Sequence, residues 1–129
     1  MELLKQYEIF LKKGNSDLAA AKILLKAEES DLEIESVLFH LQQSAEKFIK
    51  SLLSYNNIRF PKIHDIEKLI NLCSKNNIKL PKYCHGLIDL TDFAVEGRYA
   101  IIHDDIEDCG KYIKLLDRFK IFILKKLSS

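Results

Sequence analysis

The sequence predicts an all-α fold, a five-helix up-and-down bundle formed by one domain over residues 1–129. Apolar residues recur at helical spacings of three and four along most of the chain. The 129 residues include only four glycines and two prolines, and 47% of them are hydrophobic, which excludes disordered and collagen-like chains. No segment shows a convincing strand pattern, so the helices must supply the whole core.

The first predicted helix covers residues 3–25. Gly14 falls on its apolar stripe and costs such a helix roughly 1 kcal/mol relative to alanine. The helix therefore either bends at Gly14 or packs closely against another backbone there. The stripe consists of Leu3, Tyr7, Leu11, Leu18, Ala21 and Leu25.

The second predicted helix begins after a cap at Ser30 or Asp31, ends near residues 56–57, and lies antiparallel to the first. Its buried stripe consists of Leu38, Leu41, Ala45, Phe48 and Leu52. Polar side chains follow the opposite face at steps of four and three, namely Ser36, His40, Gln43, Lys47, Lys50 and Ser54. We interpret this polar edge as a candidate binding surface.

A repeated connector separates the next elements. NNIRFPKI at residues 56–63 returns twenty residues later as NNIKLPKY at 76–83. Each Asn pair can adopt the left-handed conformation that ends a helix before an extended X-Pro step. The sequence predicts a short helix over 65–75 between the connectors and a fourth helix over 85–95, which Gly97 ends before a break at 98–104.

The last predicted helix runs from an acidic cluster at residues 104–108 to about residue 127. Carboxylates suit the positive end of a helix dipole, and the closing lysines suit the negative end. Its core stripe consists of Ile106, Cys109, Ile113, Leu116, Ile123 and Leu127, widened by Phe119 and Phe122.

The charge balance favours no general attraction to nucleic acid or membranes, because 20 basic residues face 19 acidic ones. No apolar stretch approaches the ~20 residues that a membrane span requires, and the N-terminus shows no signal-peptide pattern. We therefore expect a cytoplasmic protein without membrane contact. Cys73, Cys84 and Cys109 match neither a disulfide framework nor a metal spacing, so we interpret them as core fillers and expect no metal or cofactor.

Arg98 and His103, in the run GRYAIIHDD, form a candidate catalytic pair. A guanidinium binds phosphate with a permanent charge, and an imidazole exchanges a proton near pH 7. Together they can cleave an RNA phosphodiester without a metal, the histidine moving protons and the arginine holding the pentacoordinate phosphate. The residues leave a second interpretation open, in which Arg98 pairs with a neighbouring carboxylate and His103 caps the last helix.

The polar edge and the block after the first connector form a second candidate site. His40, Gln43 and Lys47 lie on the edge, and His64 and Asp65 follow the connector. Lys47 offers charge for a phosphate and Gln43 can contact a base edge, so these five residues predict a nucleotide or partner site. In the alternative interpretation, His40 and Gln43 satisfy backbone groups at a helix crossing and His64 caps the third helix.

Three blocks of the sequence resemble the HEPN domain of bacteria and archaea: FHLQQSAEKFIKSLL at 39–53, FPKIHDI at 60–66 and FAVEGRY at 93–99. They occur in the family's order, and the resemblance extends over residues 14–127. It implies a helical bundle that usually forms a homodimer and is often encoded beside a minimal nucleotidyltransferase. Many members are metal-independent ribonucleases with an Arg, four to six residues and a His before the last helix, and Arg98 and His103 have this spacing.

The resemblance implies two functions. One is a toxin-antitoxin-type endoribonuclease acting on single-stranded RNA, and the other is a non-catalytic adaptor that binds a nucleotide or docks a nucleotidyltransferase. The segment from residue 84 to residue 110 contains seven acidic residues, and Arg98 is its single Lys or Arg. This excess of negative charge disfavours RNA binding at that segment. We expect compensating charge from basic residues of the last helix, or from Lys47 and Lys50 across a dimer interface.

Overall fold

The computed structural model describes residues 4–27, 31–94 and 105–128 and confirms the all-α bundle. These three ranges contain no strand. The elements in chain order are α1 (Gln6–Ala27), α2 (Asp31–Tyr55), α3 (Ile66–Lys75), the 3₁₀-helix η1 (Lys82–Phe93) and α4 (Asp105–Leu127).

Helix α2 is the central element and contacts each of the other four. Between residues 34 and 55, every side chain on it is buried or half-buried. The predicted stripe is entirely buried, and Ile34, Val37, Ile49 and Leu53 extend the buried surface around the helix. The polar edge predicted on the opposite face is therefore enclosed in part by neighbouring elements instead of being fully solvated.

Helix α1 packs antiparallel to α2, as predicted. The rings of Tyr7 and Tyr55 meet edge to face at 5.1 Å between centroids, while further along α1 the Asp17 carboxylate lies 3.0 Å from the His40 ring. Residue numbers thus rise along α1 as they fall along α2.

Gly14 marks a close approach between these two helices. A Cβ atom at this position would lie 2.6 Å from the Phe48 ring, and the Ser44 hydroxyl donates a hydrogen bond to the Gly14 carbonyl at 2.9 Å. Of the two roles that the sequence allowed for Gly14, the structure supports close packing, although a phenylalanine ring and not a backbone occupies the space.

Helix α4 runs parallel to α2 on the other side of the core. Phe119 meets Phe48 edge to face at 6.2 Å, and further along both helices Phe122 lines the same pocket as Leu52. The predicted apolar stripe of α4 faces this contact, with Cys109, Leu116, Phe119 and Ile123 fully buried.

Both connectors end their helices in the predicted way. Asn57 and Asn77 adopt left-handed backbone angles, with φ of 59° and 62°. In each connector the following isoleucine, Ile58 or Ile78, donates its backbone N–H to a carbonyl five residues earlier at 2.9 Å. The repeated sequence therefore builds the same helix end twice.

The fourth helix differs from its prediction, because it is a 3₁₀-helix that begins at Lys82 instead of an α-helix over 85–95. Its buried residues Cys84, Leu87 and Leu90 are spaced three apart. A 3₁₀-helix has three residues per turn, so this spacing brings all three side chains onto one face toward the core. In an α-helix the same spacing would spread the three side chains over about 120° of the helix surface.

The three cysteines are free and buried, which confirms that they fill the core. Most large apolar side chains of the described helices also face inward, with Ile23 and Ile121 among the exposed exceptions. No helix in the described ranges has the length and apolar character needed to cross a membrane.

Candidate functional site

A buried carboxylate organises the polar residues in the middle of α2. The Glu46 side chain has 0% exposure. Its Oε1 lies 2.7 Å from Nδ1 of His64 and accepts a hydrogen bond from Nε2 of Gln42 at 3.2 Å. Its Oε2 accepts hydrogen bonds from the ammonium groups of Lys47 and Lys50, each at 3.0 Å. We call these five residues the Glu46 cluster.

The partners of Glu46 determine its ionisation. Burial by itself raises the pKa of this carboxyl, because the charged form loses its water. Hydrogen bonds from His64, Lys47 and Lys50 and the positive charge of Lys47 outweigh burial and lower the pKa of Glu46 from 4.5 to about 2. The carboxylate is therefore charged at neutral pH.

The helical period places most of the Glu46 cluster. Gln42, Glu46 and Lys50 stand four residues apart, so their side chains follow one another along one face of α2. His64 comes from the chain just before α3, and Gln42 also donates a hydrogen bond to the His64 carbonyl at 3.2 Å. Side chains of α2 thus bind both the ring and the backbone of His64, and they hold the end of the first connector against α2.

His64 is the most exposed member of the Glu46 cluster, with 59% of its side chain accessible. Because an ionised carboxylate can only accept, Nδ1 of His64 is the donor to Glu46, and the ring's Nε2 remains for other contacts. A carboxylate that orients an imidazole in this way is chemically competent for proton transfer. The same bond also has a purely structural effect, since it attaches the connector to α2.

The structure brings three of the five predicted nucleotide-site residues together. Lys47 and His64 both bind Glu46. Gln43 joins them, since its Nε2 donates to Gln42 Oε1 at 2.6 Å and its Oε1 accepts from Lys47 Nζ at 3.4 Å.

The other two predicted residues, His40 and Asp65, lie elsewhere. His40 contacts Asp17 of α1, and Asp65 caps α3 by accepting a hydrogen bond from the Lys68 backbone N–H at 3.1 Å. The alternative interpretation is wrong about His64, because Asp65 caps α3. His40 does lie at the crossing of α1 and α2, where its ring contacts the Asp17 carboxylate.

Sequence reasoning missed the central residue, Glu46. A signal was present, because Glu46 is enclosed by apolar residues at helical spacing, with Ile49 and Leu53 three and seven positions ahead. A carboxylate on an apolar face needs cations or donors nearby, and the lysine four positions on supplies one.

Arg98 and His103 lie outside the described residues. The Arg-x4-His spacing also occurs at Arg59 and His64, which the structure does describe. There His64 is bound to Glu46 and precedes α3, whereas Arg98 and His103 precede α4, which begins at Asp105. The position before the last helix is what distinguishes the candidate catalytic pair.

The buried thiols give no metal site in the described part of the chain, where no group of three or more His, Cys, Asp or Glu side chains is arranged to hold an ion. Burial raises the pKa of Cys73 and of Cys84 to about 12, and their mutual proximity contributes at Cys84. Protonated thiols are poor metal ligands, so the chemistry of these cysteines agrees with their core position.

Comparison with known families connects these observations. The HEPN domain matches residues 7–127, nearly the whole chain. The chain belongs to the HEPN family. The match covers the Glu46 cluster and the Arg98–His103 segment, and it confirms the resemblance carried by the three sequence blocks. HEPN domains are nucleotide-binding and ribonuclease-like proteins. No curated protein and no solved structure gives a significant match to this HEPN chain.

Proposed function

We propose that this HEPN protein is a metal-independent endoribonuclease that cleaves single-stranded RNA with Arg98 and His103. One observation carries the proposal: the Arg-x4-His pair comes directly before α4 in a chain that matches the HEPN domain over residues 7–127. An arginine and a histidine together supply permanent charge and a proton carrier that works near neutral pH.

The proposed reaction is an internal transesterification. His103 takes the proton of an RNA 2′-hydroxyl, and the 2′-oxygen attacks the neighbouring phosphorus. Arg98 stabilises the charge that develops on the pentacoordinate phosphate. The bond from phosphorus to the 5′-oxygen then breaks and that oxygen takes up a proton, which leaves a 2′,3′-cyclic phosphate and a 5′-hydroxyl.

The lysines of α2 and α4 differ in how much positive charge they can offer to RNA within one subunit. Lys50 is nearly buried and, like Lys47, is bound to the Glu46 carboxylate, so these two lysines contribute less than the sequence predicted. Lys111 and Lys114 are exposed in the first half of α4. They lie close in sequence to His103 and can offset the acidic segment there.

Assembly and context complete the proposal. We expect a cytoplasmic homodimer that works in a toxin-antitoxin-type module beside a minimal nucleotidyltransferase partner. Two copies related by a twofold axis that brings their Arg98–His103 segments together would double the positive charge presented to the RNA.

A second candidate function is a non-catalytic adaptor that binds a nucleotide or docks the nucleotidyltransferase. The observation in its favour is that Gln43, Lys47 and His64 meet at one partly accessible cluster. In this case Arg98 and His103 are structural residues, and a change at the polar edge impairs binding.

Cleavage of a single-stranded RNA oligonucleotide in EDTA tests the proposal. We expect Arg98→Ala and His103→Ala each to reduce the cleavage rate at least 100-fold, a typical loss for a group that stabilises transition-state charge and for a general acid–base group. His85→Ala, an exposed histidine on η1, is the matched control and should cleave normally. Mass spectrometry should detect 2′,3′-cyclic phosphate ends.

Three results contradict the ribonuclease proposal: cleavage that survives His103→Ala, cleavage that requires magnesium, or products that end in a 3′-hydroxyl. If the wild-type protein does not cleave RNA but binds nucleotide, and Gln43→Ala weakens that binding while the fold is retained, the adaptor function replaces the proposal.

A further inference from the structure

A groove of about 660 Å³ lies between α1, the C-terminal half of α2 and the first connector. Its walls include Phe10 of α1, Lys50 and Ser54 of α2, and Arg59, Phe60 and Lys62 of the connector. It has the size of a small-ligand site. Among its described lining residues, Lys50 is the one that also belongs to the Glu46 cluster, and the groove is separate in sequence from Arg98 and His103.

Two aromatic rings and Ile58 form the apolar part of this groove. The rings of Phe10 and Phe60 are 5.8 Å apart and inclined at 59°, and the Lys50 ammonium lies 5.6 Å from the centre of the Phe60 ring. Phe60 is only half-buried, although it contacts Phe10 of α1 and Lys50 of α2. The half of such a ring that is not buried offers a surface on which a nucleic-acid base can stack.

The charged residues of the groove are all basic. Lys50, Arg59 and Lys62 lie in its walls, and none of the described lining residues is acidic. Arg59 and Lys62 are exposed, and within the described part of the chain neither forms an ion pair. Their charges are therefore available for an anion, unlike that of Lys50, which Glu46 neutralises in part.

Neutral hydrogen-bonding groups accompany the cations. The Ser54 hydroxyl oxygen is buried and has no hydrogen-bond partner among the described residues. A buried hydroxyl without a partner costs free energy, so the wall of the groove contains a polar group that the described fold leaves unsatisfied. Gln6 and Asn57 add side-chain amides, which both donate and accept, to the same walls.

We propose that this groove binds a segment of single-stranded RNA, with a base stacked on Phe60 and phosphates held by Arg59 and Lys62. Aromatic faces beside unpaired cations fit a ligand that has both a flat ring and phosphate, whereas an acidic peptide would use the cations alone. A strand fits better than a free nucleotide because the exposed Lys13 stands three positions beyond Phe10, on the same side of α1, and extends the basic surface past the groove.

This inference goes beyond the proposed cleavage and does not depend on it. The groove requires neither Arg98 nor His103, so RNA binding can be measured in the His103→Ala protein, which cannot consume the RNA by the proposed reaction. A protein that binds RNA at the groove but never cleaves it refutes the ribonuclease proposal alone.

The test measures fluorescence anisotropy of an end-labelled 12-nucleotide single-stranded RNA at several NaCl concentrations, without divalent ions. In the His103→Ala background, we expect Arg59→Glu with Lys62→Glu to weaken binding at least tenfold at 0.1 M NaCl. Loss of two phosphate contacts should also reduce the salt slope by roughly 1.4, since each contributes about 0.7 on a single strand. Phe60→Leu should weaken binding about fivefold without changing charge, at the lower end of the loss seen when one stacking contact is removed.

The matched control is Lys68→Glu with Lys82→Glu, which changes the net charge equally at exposed positions away from the groove. Both sites lie in the first turn of a helix, where glutamate is tolerated, and the control should bind within twofold of the background protein. Circular dichroism and thermal unfolding establish that every variant is folded.

Several results would overturn the proposal. An equal loss of affinity in both double variants would show that the RNA responds to net charge only. If Phe60→Leu binds RNA as tightly as the background protein, no base stacks on Phe60. Displacement of the RNA by ATP with the affinity of the whole strand shows that a free nucleotide is the ligand. Failure of the folded protein to bind the RNA refutes the inference outright.

Discussion

Two buried regions of this bundle have pKa values that are shifted in opposite directions. Cys73 and Cys84, on α3 and η1, are fully buried, and burial raises the pKa of each thiol to about 12. Glu46, in the middle of α2, is equally buried, yet its pKa falls to about 2. The difference lies in the neighbours, because a histidine and two lysines contact the Glu46 carboxylate.

The contrast shows what each region contributes to the fold. The thiols stay neutral and behave as small apolar side chains, so they contribute to stability through their packing in the core. The carboxylate stays charged and attaches the first connector to α2 through His64. A buried charge of this kind is tolerated only while all of its partners remain in place.

The largest effect should come from removing that charge. Glu46→Gln keeps the side-chain shape but leaves the nearly buried Lys50 without a counter-ion, so we expect a loss of about 3–5 kcal/mol in the free energy of unfolding, measured with urea. Asp117→Ala is the control, because it breaks the Lys22–Asp117 ion pair, whose side chains are 43% and 44% exposed. That variant should lose at most about 1 kcal/mol. If the two variants lose the same free energy of unfolding, the Glu46 ion pairs contribute no more to stability than an exposed pair.

The thiols provide the second test. A pKa of about 12 in place of 9.0 reduces the thiolate fraction at pH 8 roughly a thousandfold, and only the thiolate reacts with alkylating reagents. Native protein treated with iodoacetamide at pH 8 should therefore show almost no modification of Cys73 or Cys84 by mass spectrometry, whereas protein in concentrated urea should react fully. Rapid labelling of the folded protein would contradict the buried position of these residues.

The third and smallest effect concerns pH. The pKa of Glu46 is about 2 in the folded protein and near its ordinary value of 4.5 in the unfolded chain, so the unfolded state binds a proton first as pH falls. The stabilisation is therefore complete above pH 4.5 and is lost as pH decreases toward 2. The difference corresponds to about 3 kcal/mol, visible as a fall in the unfolding free energy across this window.

The Glu46→Gln protein should lack that part of the pH dependence, because the substituted amide does not titrate. If both proteins lose stability equally between pH 4.5 and 2, other carboxylates are responsible and the low pKa assigned to Glu46 is wrong.

The helices and their ends were largely predictable from the sequence. The stripe of α2 is buried residue for residue, and α3 begins next to the predicted residue 65, although Asp65 and not His64 is its cap. The repeated Asn pairs end two helices with left-handed residues at Asn57 and Asn77. These features depend on neighbours within one or two turns, so local sequence contains the information.

The sequence by itself determined which residues are helical and which apolar faces are buried, and through the family it identified Arg98 and His103 as a pair to test. Only the tertiary structure decided the bonding of the polar edge and the existence of the groove. A helical period shows which residues share a face but not which distant element will cover it. Phe10 and Phe60 are fifty residues apart in the chain, and they line one groove because α1 and the first connector pack on the same side of α2.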